Sequence, residues 1–181
     1  MSAINDPLLM IAKIVLAFLM GVLAFVTVVL IAGAVAAPIF EGSIVAELIA
    51  DGKGQPPAGF VWLVSILLIG IAGLLGLLIY FLLLLWRIVG TVGAGDPFVP
   101  ENAARLSRMG WVAVAGNILA LFVAAAVTRV ATVAADMGDD VDFNADIDFG
   151  GGGLLLILVL FILARVFRHG AAMREDLEGT V

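Results

Sequence analysis

Four long apolar runs, separated by short polar segments, restrict what this chain can fold into more than any other feature of its sequence. A backbone surrounded by hydrocarbon has no water to bond its N–H and C=O groups. A helix satisfies them within one segment, and about 20 consecutive apolar residues carry a helix across a bilayer. The runs are Leu8 to Ala37, Phe60 to Trp86, Trp111 to Ala135 and Leu154 to Ala164. The fourth is short in apolar terms and reaches spanning length with the glycines before it and the stems of Arg165 and Arg168 after it. The pattern predicts an all-α membrane protein, with residues 1–181 forming a single four-helix transmembrane domain. Its helices are expected at about 8–37, 60–88, 100–135 and 152–176.

Composition agrees. Charged residues make up 13% and hydrophobic residues 64% of the 181-residue chain, and mean hydropathy is +1.23. A soluble domain carries about 25% charged residues. With no cysteine, the chain has no disulfide, thiol redox chemistry or thiolate metal site. The first run is about twice the length of a signal-peptide core and lacks a basic start, so it reads as a helix that stays in place.

Along the chain, Pro38 is expected to end or bend the first helix. Ser43 to Ala50 is amphipathic, with Ile44, Val45, Leu48 and Ile49 opposite Glu47 and Asp51, and is expected to lie on the membrane surface. Trp62, Tyr80 and Trp86 suit the interfacial aromatic belts. Two small-residue faces offer close helix packing: Gly70, Gly73 and Gly76 in the second run, and Gly116, Ala120, Ala124 and Thr128 in the third. Gly90 to Gly95 reads as a flexible break, and Asp96-Pro97 with Val99-Pro100-Glu101-Asn102 reads as a turn and a helix start. Between the third and fourth runs, Val141, Phe143, Ala145, Ile147 and Phe149 alternate with acidic residues and Asn144. A period of two predicts a short strand-like segment.

The basic residues set an orientation. All but Lys53 and Arg129 of the 9 Lys and Arg residues fall at one set of run ends: Lys13, Arg87, Arg105, Arg108, Arg165, Arg168 and Arg174. Such residues mark the cytoplasmic side. Both termini and the middle loop are therefore expected inside, with the two acidic loops outside.

Little in the chain points to catalysis or ion transport. The single histidine, His169, stands beside Arg168, and no hydrolase, nucleotide-binding or zinc-protease spacing occurs. The middle thirds of the runs hold no ionisable residue, whereas proton-coupled pathways keep one at mid-membrane. Asn117 and Thr27 are the most polar residues there and are expected to hydrogen-bond between helices. Small multidrug exporters carry a buried glutamate in their first helix that has no counterpart here. Asp142, Asn144 and Asp146 resemble the start of a calcium loop. Ile147 stands where that loop needs glycine and Gly153 where it needs glutamate, so these are weak metal candidates. No cofactor is expected.

The basic side is more specific. Glu101, Arg105 and Arg108 share one helix face, as do Arg165, Arg168 and His169, with Arg174-Glu175-Asp176 close behind. Two readings stand: the arginines contact anionic lipid and pair with Glu101, Glu175 and Asp176, or the face docks a partner. The platform residues are Asp96, Phe98, Asn102, Arg105, Arg108, Arg165, Arg168 and Asp176.

These same segments carry a family resemblance. Asp96-Pro97-Phe98-Val99-Pro100-Glu101-Asn102, then Arg105-Leu106 and Gly110-Trp111, resembles the central motif of the domain-of-unknown-function 2975 family. Leu163 to Gly170, with Arg174-Glu175-Asp176-Leu177-Glu178-Gly179-Thr180-Val181, resembles its C-terminal signature. The resemblance implies a small bacterial inner-membrane protein without an assigned activity, whose gene often neighbours one for a small helix-turn-helix regulator. The expected function is a non-enzymatic sensor or sequestering partner for such a regulator, held through Phe98, Asn102, Arg105, Arg168 and Asp176, with no direct contact to nucleic acid. The alternatives are a transporter or an immunity or resistance factor for a small hydrophobic or cationic compound, and a structural bundle whose glycine face forms a homo-oligomer.

Overall fold

The computed structural model describes residues 7–93, 95–138 and 152–178, with side chains of the last helix as far as Arg174. These residues form five helices: α1 Pro7–Ile39, α2 Glu41–Ala50, α3 Phe60–Gly93, α4 Pro100–Asp136 and α5 Gly152–Glu178. Among the described residues there is no strand. The expected strand-like segment, the metal candidates Asp142, Asn144 and Asp146, and the side chain of Asp176 lie outside the described residues. Four helices are long and apolar enough to cross a membrane: α1, α3, α4 and Gly152–Arg174 of α5. This is the layout of a multi-pass membrane protein.

Two local features follow from the sequence. Pro38 falls in the last turn of α1, which ends at Ile39; α2 starts two residues later. In α2, Ile44, Val45 and Leu48 are partly covered and Glu47 is exposed, but Ile49, expected on the apolar face, is exposed as well.

One expectation needs correction. Gly90 to Gly93 do not break the chain: α3 stays helical through Gly93, and bonds from Gly95 and Asp96 cap it. Gly95 takes φ +87°, its N–H donates to Val92 O at 3.0 Å, and the Asp96 N–H donates to Thr91 O at 3.1 Å. That pair of bonds is a Schellman motif, which needs a left-handed residue at the position Gly95 holds. Gly90 and Gly93 remain in the helix because neighbours from α1 use the space they leave. A Cβ on Gly90 would lie 3.7 Å from Lys13 Nζ, and one on Gly93 3.6 Å from Leu9 Cδ1.

The described chain divides into two compact units. The first contains α1 through Ala24, α3 from Leu77, α4 through Asn117, and α5. Its core is Leu84, Ile88, Leu106, Met109, Leu160 and Ala164, with Phe81, Leu85, Ala113 and Phe167 packed against it. Gly110 leaves room for the Phe161 ring, 3.0 Å from where its Cβ would stand, and Trp111 meets that ring edge-on at 5.6 Å. Asn117 departs from expectation. Its Nδ2 donates within its own helix to Ala113 O at 2.8 Å, and its Oδ1 lies 2.9 Å from the Cβ position of Gly153. An i−4 carbonyl is always in reach of a helical asparagine, so no second helix is needed to satisfy that donor.

The second unit contains the rest of α1, α2, α3 as far as Gly76, and the rest of α4. Here α4 presents large residues to the α3 glycines, and the two small faces do not meet. Val123 Cγ2 is 2.9 Å from the Cβ position of Gly70, and Leu119 Cδ2 is 3.2 Å from that of Gly73. Gly76 has nothing within 4 Å of its Cβ position. Positions three apart advance about 300° around a helix of 3.6 residues per turn, so each successive glycine rotates off the contact. Gly116 is likewise open in the first unit, Ala120 is half-covered, and Thr128 is exposed.

Candidate functional site

The two sequence motifs meet in the first unit, where the turn between α3 and α4 packs against the end of α5. Their junction is built outward from Asn102, whose side chain is completely buried. Pro100 opens α4, and the Asn102 N–H donates to Val99 O at 2.9 Å, as suits a proline-initiated first turn. The Asn102 amide then uses both of its N–H donors and one lone pair of its oxygen. Nδ2 donates to Thr91 Oγ1 at 2.7 Å and to Pro97 O at 2.9 Å, while Oδ1 accepts from Arg105 Nη1 at 2.7 Å. Thr91 Oγ1 passes its own proton to Ile88 O at 2.8 Å. One side chain thus ties the end of α3, the turn and the start of α4 together.

In one of the two readings of the basic side, the arginines pair with acids that include Glu101, which shares a helix face with Arg105. Arg105 is half-buried and bonds Asn102, whereas Glu101 is exposed. The buried amide lies one turn back on the same helix face, within reach of the guanidinium.

Two contacts join the turn to α5. Arg174 forms an ion pair with Asp96, and the Phe98 ring stands 5.3 Å from that of Phe167. Gly170 makes the second contact possible: a Cβ there would lie 2.8 Å from Phe98 Cδ1. The Phe98 ring forms one wall of an open groove of about 690 Å³, whose other lining residues, Ile162, Arg165, Val166, His169, Gly170 and Met173, come from α5.

Of the expected platform residues, the structure brings together Asp96, Phe98, Asn102 and Arg105, and sets Arg165 beside Phe98 in the groove. Arg108 and Arg168 are exposed on α4 and α5. Thr91, Phe167 and Gly170 carry no platform role in the sequence reading, yet they position the turn. Gly170 opens a small-residue step, Gly170-Ala171-Ala172, in the last turns of α5, and that step is the signal that could have found it. Thr91 and Phe167 offer no such signal.

A family model described as a protein of unknown function (DUF2975) matches residues 48–181, most of the chain and both motifs. The chain belongs to the DUF2975 family. No curated protein and no solved structure matches it. In this DUF2975 protein the matched range begins inside α2, so α1 lies ahead of it, while the Asn102 network and the groove fall wholly within it.

Proposed function

We propose that this DUF2975 protein is a non-catalytic, multi-pass protein of the bacterial inner membrane that acts as a sensor or sequestering partner for a small cytoplasmic helix-turn-helix regulator, which it holds or releases. Both termini and the α3–α4 turn face the cytoplasm. The distribution of arginine supports that orientation, since basic residues near helix ends are retained inside.

The observation that carries the reading is the joining of two motifs far apart in sequence. The turn is held by Asn102 and locked to α5 through Asp96–Arg174 and Phe98–Phe167. What results is a fixed turn bearing an aromatic ring, flanked by exposed Arg108, Arg165 and Arg168. Aromatic and arginine side chains on a preorganised support make a recognition surface, because little ordering entropy is lost when a partner docks.

The test is retention of any small helix-turn-helix regulator encoded beside the gene on the full-length protein purified from membranes. The native chain is expected to hold it. Phe98→Ala with Arg168→Ala is expected to weaken retention about tenfold or more, the equivalent of losing one good contact. Adding Asn102→Ala, Arg105→Ala and Asp176→Ala should abolish it. Undiminished retention in the five-fold variant would remove this face from consideration.

A further inference from the structure

The groove between Phe98 and α5 carries a second role that goes beyond the regulator reading. Its walls are mostly apolar, and its polar side chains are Arg165 and His169; among the described residues no acid lines it. The nearby carboxylate, Asp96, is engaged by Arg174. The groove also continues into an exposed apolar stripe. Leu155, Leu158, Ile162 and Val166 recur three or four residues apart on α5 and are 61%, 57%, 53% and 54% exposed. They lie within the segment able to cross a membrane. A site with a guanidinium and an imidazole at its rim and a long apolar track leading into hydrocarbon matches one chemistry: an anion attached to an alkyl chain.

We infer that this groove binds one anionic phospholipid. The phosphate sits between Arg165 and His169, and one acyl chain follows Val166, Ile162 and Leu158 along α5. An extended peptide fits less well, because its unpaired backbone groups would need more polar partners than the groove supplies. Gly170 is the positioning residue. Only a residue without Cβ lets the Phe98 ring close that wall.

Native mass spectrometry of the full-length protein in neutral detergent tests this, with phosphatidylglycerol or phosphatidylethanolamine added to the micelles. One phosphatidylglycerol should be retained in preference to phosphatidylethanolamine. Each cation near an anionic headgroup is worth about fivefold in binding, so Arg165→Gln with His169→Gln should reduce retention at least about fivefold. Arg165→Lys should keep most of it, and Arg87→Gln, an exposed cation outside the groove, should leave it unchanged. Equal retention of the two lipids would overturn the inference. So would an equal loss in Arg87→Gln, displacement by inorganic phosphate alone, or a co-purifying peptide in place of lipid. The charge-conserving variant separates loss of the site from loss of the fold.

Discussion

Asn102 shows how far a single buried amide can organise a turn. Its three side-chain bonds reach α3, the turn and α4, and none is shared with water. Asn102→Ala leaves Thr91, Pro97 O and Arg105, all half-buried, short of a partner. The expected destabilisation is about 1–3 kcal/mol, measured as a lower midpoint for loss of helicity in detergent; an unchanged midpoint would show that the network is incidental. Gly170→Ala should displace the Phe98 ring, since its Cβ would lie 2.8 Å from Phe98 Cδ1; it should lower the same midpoint in the native background and not in Phe98→Ala, where the ring is gone. The sequence marks Asn102 as a helix-start residue, and that much was readable because proline and acidic neighbours act locally. Its burial was not, since Thr91 and Pro97 come to it through the fold. The same applies to Arg105, whose spacing pointed to Glu101.

Among the helices, the lesson lies in how small residues are used. Lipid supplies no hydrophobic drive between helices, so van der Waals fit decides where they touch. On α3 that fit is Val123 and Leu119 seated against Gly70 and Gly73. Gly70→Ile should therefore destabilise by about 1–3 kcal/mol through overpacking. Gly76→Ala meets open space and should be neutral, or stabilise by up to about 1 kcal/mol from helix propensity. Equal effects at both positions, measured by the same unfolding assay, would contradict this packing. Gly95→Ala should cost about 1 kcal/mol, because the cap holds it at φ +87°. The existence of each long helix was legible from its apolar run alone. The end of α3 was not, because a glycine-rich stretch looks like a break until its neighbours from α1 are known. The face of α4 that meets α3 was also hidden: small residues advertise close approach, while the contact uses the large ones beside them.

For the protein as a whole, membrane residence and arginine asymmetry do most of the explanatory work. All four spanning segments expose large apolar side chains; α1 is the extreme case, with none of its most apolar window buried. Lipid covers such surfaces in a way water cannot. The proposed orientation places the Asn102 turn and the end of α5 in the cytoplasm, where both a regulator and anionic lipid are available.

Because the chain has no cysteine, single cysteines report sidedness without background. The decisive measurement is labelling of Arg108→Cys and Gln55→Cys, both exposed positions, by a membrane-impermeant thiol reagent. Position 55 should react in intact spheroplasts, and position 108 only in inverted membrane vesicles. Labelling of position 108 from outside would reverse the orientation and end the case for a cytoplasmic docking face.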